Sequence, residues 1–334
     1  GGVAAGSLAL GGRGQLRDWE IFNRPGQGRM VSYAFPCIRA QAGKGKPVAR
    51  VLESRLMTPY EGASGLSPNQ VSGLTRLESA TFTGEYPLAR IDFHDRELPV
   101  RVAIEAFTPI IPLDADASGL PVAVLRYRVK NPGKEAANVA IAWSLDNPVG
   151  AGTDGARHPS AIRDARVNSY RSDSGLSGLV MTNPGLKAED PSAGSIVLGA
   201  LGAKEGEITH LTGWPRAKWW ASPLLYWDDF TLDGELGPEA GARNRVGSLC
   251  LRREIPAGVE AEYTFVLAWH FPNRTPGWCG WNSQNPQTER DTIIGNYYSK
   301  RFASAWDAAA HTARNLPSLE KRTRQFLAAM RETT

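Results

Sequence analysis

Two pairs of neighbouring carboxylates are the residues of this sequence whose types and spacing could support acid–base or nucleophilic chemistry. Asp18 and Glu20 stand on either side of Trp19, and Asp228 is followed directly by Asp229. Hydrolysis of a glycosidic bond requires two carboxyl groups across a sugar ring, one of them with a raised pKa. If residues 18–20 form a strand, Asp18 and Glu20 share one face of it. Proximity in sequence does not establish the separation that this chemistry needs.

Both pairs also have a structural interpretation. Asp18 could form an ion pair with Arg17 or Arg24. Asp228 and Asp229 precede a turn-like Asp-Gly, so they could instead satisfy the backbone of their own loop. The sequence alone does not decide between the chemical and the structural interpretation.

The first 28 residues have an unusual composition. Residues 1–15 are rich in glycine and small apolar residues, whereas residues 16–25 are bulky, charged and aromatic. Glycine allows a backbone or a ligand to approach closely. The segment could therefore hold Trp19 and its charged neighbours at a defined location. A simpler interpretation is a glycine-rich first strand with a tight hairpin whose aromatic residues fill the core.

Composition and charge limit the possible functions. The chain has 334 residues, 42% of them hydrophobic and 22% charged, which is typical of one large or two ordinary globular domains. A net charge of +4, spread evenly, predicts no nucleic-acid partner. No run of about 18 apolar residues is present, so no transmembrane segment is predicted. The chain begins Gly-Gly without Met, so we expect a trimmed product, and the sequence leaves a signal peptide and the localisation open.

Cysteine and histidine patterns predict neither a metal site nor a cofactor. Cys37, Cys250 and Cys279 are widely spaced, without a CxxC motif, and are expected to be free thiols, mostly buried. The five histidines are scattered. His270 is the one candidate site residue among them, because it lies in an aromatic strand and just before the polar segment 272–274.

Tryptophan is abundant in the second half of the chain. Large aromatic faces stack on sugar rings as well as filling cores. Trp219 and Trp220, which are adjacent, are candidates for carbohydrate contact, although core packing is the commoner role.

Strand patterns dominate the chain up to about residue 290. Val100, Val102, Ile104 and Ala106 alternate with other residues, and Tyr263, Phe265, Leu267, Trp269 and Phe271 fall on one face of a second strand. The pattern predicts a mainly β fold, a two-sheet antiparallel β-sandwich. Residues 146–183 are predicted to form long loops with a short strand or two, and residues 213–236 a structured loop.

The C-terminal residues change to helical spacing. One helix is predicted over residues 298–314 and a second after Leu316-Pro317, with an apolar stripe that includes Leu319 and Leu327. An amphipathic helix must bury its stripe. Because no partner for this stripe was evident, we expect the natural polypeptide to continue beyond Thr334. The expected organisation is a sandwich domain over residues 1–296 and a helical linker over residues 297–334.

Several segments, in order, resemble the N-terminal domain of glycoside hydrolase family 116, the family of non-lysosomal glucosylceramidases and bacterial β-glucosidases. The resemblance covers essentially the whole chain. It rests on the glycine-rich start that leads to Arg17-Asp18-Trp19, and on residues 83–87 (TGEYP), 105–109 (EAFTP), 267–274 (LAWHFPNR), 296–298 (NYY) and 305–317. Val3-Ala4-Ala5 departs from the more glycine-rich form of the first motif, which weakens the case for substrate contact there.

The resemblance implies a catalytic (α/α)6 domain that follows this chain and carries the nucleophilic Glu and the acid/base Asp. No catalytic residue, metal or cofactor is then expected within residues 1–334, and the chain alone is expected to be inactive. The substrate of the full protein would be a β-glucoside or a glucosylated lipid. The residues expected to form a wall of its cleft are Trp19, Glu20, Asn23, Arg24, Trp219, Trp220 and His270.

Two other classes of function stay open at this point. The tryptophans are compatible with a free-standing carbohydrate-binding β-sandwich, which needs no further domain. A purely structural or interaction domain would instead present an exposed apolar patch formed by the last helix.

Overall fold

The computed structural model describes residues 2–56, 73–152, 157–218, 221–280 and 286–333. The strands are β1 (Ala9–Leu10), β2 (Leu16–Arg17), β3 (Phe35–Ala42), β4 (Val48–Ser54), β5 (Arg76–Leu77), β6 (Ser79–Glu85), β7 (Leu88–His94), β8 (Arg101–Phe107), β9 (Val122–Lys130), β10 (Ala137–Asp146), β11 (Val167–Asp173), β12 (Leu176–Thr182), β13 (Ser195–Leu201), β14 (Ile208–Leu211), β15 (Val246–Ile255) and β16 (Glu260–His270). The helices are α1 (Ala115–Ser118), α2 (Ser160–Asp164), α3 (Ser222–Asp233), α4 (Gln287–Asp291) and α5 (Ala305–Thr333), with a 3₁₀ turn at Tyr297–Lys300.

Two large sheets form the sandwich that the strand pattern predicts. The six-stranded sheet has the order β14-β15-β10-β3-β4-β5, and the eight-stranded sheet has the order β11-β12-β13-β16-β9-β8-β7-β6. Neighbouring strands are antiparallel except β4 and β5. The short hairpin β1–β2 stands apart from both sheets.

The main core lies between the facing surfaces of the two sheets. The predicted inner residues of β16 all belong to it, as do Val102 and Ile104 of β8. Polar tips of core aromatics link the layers: the Tyr263 hydroxyl donates to the Val139 carbonyl at 3.0 Å, and Trp143 Nε1 donates to the Tyr127 hydroxyl at 3.1 Å. Large aromatic residues can be buried here because their polar atoms find partners across the core.

Helix α3 lies within the segment that was predicted to be a structured loop, and that prediction is wrong. Its side chains Tyr226 and Phe230 are buried on the outer face of the six-stranded sheet. At its C-terminal end the Arg39 guanidinium donates to the carbonyl oxygens of Thr231 and Leu232, at 2.9 and 3.0 Å. These carbonyls have no partner within a helix, so Arg39 both satisfies them and fixes the helix on the sheet.

Strands β11 and β12 form a regular hairpin in the region predicted to consist mainly of long loops. Every residue of β11 except Asn168 is exposed, because this strand is an edge of the eight-stranded sheet. A strand without a buried face has no alternation of apolar residues. The sequence pattern therefore gave only a weak signal for this strand.

Helix α5 is one continuous helix, not the two that were predicted, and Pro317 lies inside it. Its apolar stripe packs on the outer face of the eight-stranded sheet, where Trp306 and Leu319 join Val266 and Ala268 of β16 in a second core cluster. The stripe therefore has a partner within the chain, contrary to the expectation that it lacked one. Burial on both sides of Pro317 outweighs the local cost of a proline in a helix.

The result is four layers: α5, the eight-stranded sheet, the six-stranded sheet and α3. None of the helices in the described residues is long and apolar enough to cross a membrane.

Candidate functional site

The two carboxylates of the N-terminal segment are bound by its own loop. Strand β2 ends at Arg17, and Asp18 has a left-handed φ of 51°. Asp18 Oδ1 accepts the N–H of Gly28 at 2.6 Å. Glu20 accepts the N–H of Gly26 at 3.0 Å and the Ser7 hydroxyl at 3.2 Å. The loop over residues 18–28 is thus closed by charge-assisted hydrogen bonds, which are stronger than neutral ones.

Asn23 ties this loop to the end of β16. Its φ of 60° is a conformation that asparagine tolerates better than most residues. Its Nδ2 donates to the Phe271 carbonyl at 2.9 Å, and its Oδ1 accepts from Asn296 Nδ2 at 2.7 Å. The same carbonyl also accepts from Asn296 Nδ2 at 3.0 Å and from the Tyr298 hydroxyl at 3.1 Å. Burial raises the pKa of Tyr298 to about 12, so this hydroxyl stays protonated and can donate.

Trp278, which the sequence analysis did not single out, contacts the same loop. Its Nε1 donates to the Phe22 carbonyl at 2.7 Å, which fixes the plane of its ring. The guanidinium carbon of Arg24 lies 4.5 Å from the centre of that ring, in a cation–π contact. Glu20, Asn23, Arg24 and Trp278 are all half-buried. We call these four residues the loop cluster.

His270 and Trp19, two residues expected in the cleft wall, are both buried. His270 is buried, and its Nε2 is 2.9 Å from the Phe302 carbonyl, so this nitrogen carries the proton and donates it. Burial lowers the pKa of His270, which keeps the imidazole neutral. Trp19 is only 1% exposed and belongs to the main core. Neither side chain is exposed beside the loop cluster.

The other carboxylate pair lies elsewhere, on α3. Asp229 accepts the N–H of Gly237 at 3.0 Å, and burial raises the pKa of its carboxyl group. Asp228 is exposed. The pair belongs to a helix on the outer face of the six-stranded sheet, and Asp229 serves the backbone of the following turn, as the structural interpretation predicted.

Trp219 and Trp220 lie outside the described residues. The seven tryptophans within them are mostly buried: Trp227 and Trp278 are half-buried, and the buried ones are Trp19, Trp143, Trp214, Trp269 and Trp306. Core packing is therefore the main role of tryptophan in the described part of the chain.

The cysteines are free, and two of them are inert. Cys37 and Cys250 are buried, while Cys279 is half-buried and accepts from Arg274 Nε at 3.2 Å. Burial raises the pKa of Cys37 to about 12, which keeps it a thiol. The residues that the structure describes contain no group of three or more His, Cys, Asp or Glu side chains able to hold a metal ion.

These features define a class of protein: a large two-sheet β-sandwich domain whose N-terminal loop is joined to the residues that follow β16. The chain belongs to the family described as beta-glucosidase 2, glycosyl-hydrolase family 116 N-term, which matches residues 1–319. The match confirms the resemblance drawn from the sequence motifs.

Two solved structures share a distant likeness. One is described as a candidate kojibiose phosphorylase from the human microbiome, with 8% identity, a TM-score of 0.37, and coverage of 87% of this chain and 27% of that one. The other is a polysaccharide lyase, with 11% identity, a TM-score of 0.37, and coverage of 80% and 29%. The chain therefore spans less than a third of the length of either structure.

Proposed function

We propose that this chain is the non-catalytic N-terminal domain of a retaining β-glucosidase or glucosylceramidase-like enzyme. In this proposal it packs on a catalytic (α/α)6 domain and shapes one wall of the substrate cleft. Residues 1–296 form the sandwich domain, and residues 297–334 form the helical linker to the catalytic domain. The observation that carries the proposal is the family match over residues 1–319.

The loop cluster supports a wall role because it is held rigidly. Asn23 is anchored by hydrogen bonds to two other segments, and the Trp278 ring is fixed by its bond to Phe22. A surface that is ordered before a partner or substrate arrives loses little entropy on binding. Trp219 and Trp220 stay in the proposed wall, whereas Trp19 and His270 are buried.

The carboxylates within the chain support the assignment of the chemistry to another domain. Asp18 and Glu20 each accept hydrogen bonds from the backbone of their own loop. The substrate of the full enzyme is then a β-glucoside or a glucosylated lipid bound chiefly by the catalytic domain.

The test compares the isolated chain with the full-length enzyme on an aryl β-glucoside. We expect no turnover by the isolated chain. In the full-length enzyme, Arg24→Ala should raise KM or lower kcat, whereas Arg101→Ala, an exposed arginine on β8, should leave both unchanged. Turnover by the isolated chain that is abolished by Glu20→Gln would overturn the proposal.

A binding experiment separates this function from a free-standing carbohydrate-binding module. Titration of the isolated chain with cello-oligosaccharides or glucosylated lipids should leave its tryptophan fluorescence unchanged. Saturable quenching would favour the module instead, since a tryptophan that stacks on a sugar changes its emission on binding.

A further inference from the structure

The outer face of the eight-stranded sheet carries a groove on the part that α5 leaves uncovered. Its volume is about 690 Å³, and its walls come mainly from β7, β8, β9 and the loop that joins β7 to β8. None of the described residues of α5 lines it. Ala103 of β8 lies in the groove directly opposite Asp92 on one neighbouring strand and Arg128 on the other. This short side chain leaves space for a ligand between longer ones.

The described carboxylates that line the groove all form ion pairs with arginine. The pairs are Asp92 with Arg90, Glu78 with Arg96, Glu260 with Arg128 and Asp95 with Arg50. Each of these negative charges is therefore already compensated by a positive charge of the chain itself. The ligand that the groove can take is decided by the cations that remain.

Two cations of the groove, Arg101 of β8 and Lys130 of β9, have no carboxylate partner among the residues that the structure describes. They stand directly opposite each other in the register of the two strands. Both lie on the outer face, because Val102 and Val129 beside them point into the main core. Lys130 Nζ donates to the neutral carbonyl of Gly258, which leaves the charge of the ammonium group uncompensated.

This opposition of two cations is by itself unfavourable for the fold. Side chains directly opposite on antiparallel strands have Cβ atoms about 5 Å apart, and like charges in these positions are destabilising. An anion bound between the ends of the two side chains replaces this repulsion with attraction. A dianion matches the pair, whereas a single carboxylate leaves one of the two positive charges uncompensated. Arg101 is exposed and Lys130 is half-buried, so solvent reaches both.

We propose that Arg101 and Lys130 bind the phosphate group of a small molecule, either free phosphate or a phosphomonoester. A phosphomonoester carries a charge of about −1.5 to −2 at neutral pH and presents three acceptor oxygens. A guanidinium donates two parallel hydrogen bonds to two of these oxygens, and an ammonium adds a compact positive charge. The inference is independent of the proposed function, because the groove shares no residue with the loop cluster.

Equilibrium dialysis of the 334-residue chain against labelled inorganic phosphate at low ionic strength tests the site. We expect saturable binding that Arg101→Ala/Lys130→Ala weakens by at least about tenfold. Lys187→Ala/Lys204→Ala removes the same charge from two exposed lysines outside the groove and should leave the affinity unchanged. A wild-type chain without saturable binding up to about 10 mM phosphate would overturn the proposal. So would equal losses of affinity in the two double variants.

Competition against the labelled phosphate identifies the form of the ligand. Phenyl phosphate and benzoate share an aromatic ring but differ in charge, so benzoate should compete at least about tenfold more weakly. Stronger competition by phenyl phosphate than by unlabelled phosphate would support an ester as the ligand, and the reverse order would support the free ion. Benzoate that competes as well as phenyl phosphate would contradict a site for a dianion.

Charge reversal at Arg101 separates binding from folding. Arg101→Glu places a carboxylate directly opposite Lys130, and an opposite-charge pair across two strands is favourable. The variant should therefore unfold at a temperature no lower than that of the wild type, as followed by circular dichroism, and yet bind no phosphate in the same dialysis. A variant that is clearly less stable than the wild type would contradict the repulsion between the two cations. A variant that binds phosphate as tightly as the wild type would contradict the site itself.

Discussion

Arg126 of β9 and Glu320 of α5 form a bidentate ion pair in which both nitrogen–oxygen distances are 2.7 Å. Their side chains are only 9% and 15% exposed. Burial alone would lower the pKa of Arg126, but the hydrogen bonds and charge of Glu320 outweigh it and raise that pKa. Arg324 extends the contact by bonding both Glu320 and Glu105, at 2.8 and 2.7 Å. These pairs fix α5 in one position along the sheet, because the apolar stripe alone would tolerate sliding.

We therefore expect Glu320→Gln to destabilise the protein by about 2 kcal/mol, since it leaves the buried Arg126 guanidinium without its main counter-charge. Urea unfolding followed by tryptophan fluorescence measures the loss. Glu262→Gln is the matched control, because Glu262 also lies 3.5 Å from Arg126 but is 45% exposed. It should cost less than about 0.5 kcal/mol, as exposed ion pairs do. Equal losses of unfolding free energy for the two variants would show that Glu320 stabilises Arg126 no more than the exposed Glu262 does.

Substitutions at Asn23 should separate its backbone role from its side-chain role. Asn23→Gly keeps the left-handed conformation and removes the bonds to Phe271 and Asn296, so we expect a loss of about 2 kcal/mol. Asn23→Ala removes the same bonds and adds about 1 kcal/mol of backbone strain. Thermal and urea unfolding measure both variants. An alanine variant as stable as the glycine variant would contradict the strain at this position.

Two buried tryptophans provide a matched pair for measuring the value of an indole hydrogen bond. Trp269 Nε1 donates to the Ala5 carbonyl at 2.6 Å, whereas the buried Nε1 of Trp19 has no hydrogen-bond partner among the residues that the structure describes. Phenylalanine at position 269 leaves the Ala5 carbonyl unsatisfied, but phenylalanine at position 19 removes a donor that was already unsatisfied. Trp269→Phe should therefore be more destabilising than Trp19→Phe by about 1 kcal/mol. Equal unfolding free energies for the two variants would refute this difference.

The strands of the main core could be predicted from sequence because they have one buried face. In β16, alternate side chains from Tyr263 to Trp269 point into the core, and a period of two is visible in any window of this length. The same reasoning failed for α3, whose buried Pro223, Tyr226 and Phe230 do have helical spacing. Leu224, Leu225 and Leu232 on its exposed face hide that spacing, because an amphipathic pattern requires the opposite face to be polar.

The loop cluster could be predicted only in part. Residues 18–24 have a distinctive local composition, but Glu20, Asn23 and Arg24 are expected at a cleft wall only because of the family resemblance. Trp278 was missed because its partners Phe22 and Arg24 are distant in the chain, and no local pattern records such a contact. The backbone partners of Asp18 and Glu20 could not be predicted either. Backbone amides far along the loop, those of Gly28 and Gly26, donate to the two carboxylates, and no sequence pattern records such a contact.

The buried, neutral His270 should make the protein less stable in mild acid. In the unfolded chain the imidazole binds a proton with its ordinary pKa of 6.5, but burial lowers that pKa in the folded state. Between the two values the unfolded chain binds more protons, so the unfolding free energy rises with pH. The contribution of His270 is therefore complete above about pH 6.5 and is progressively lost as the pH falls below it. Burial also lowers the pKa of His210 and of His311, so their effect on stability has the same sign.

Urea unfolding of the wild type and of His270→Gln at several pH values between about 5 and 8 isolates this contribution, because the other titrating groups are common to both proteins. The wild type should lose stability relative to the variant as the pH falls, since glutamine can donate to the Phe302 carbonyl but does not titrate. A difference between the two proteins that is constant with pH would mean that His270 has the same proton affinity in the folded and unfolded states. A difference that grows in favour of the wild type at low pH would mean that the folded state stabilises the imidazolium, which its burial opposes.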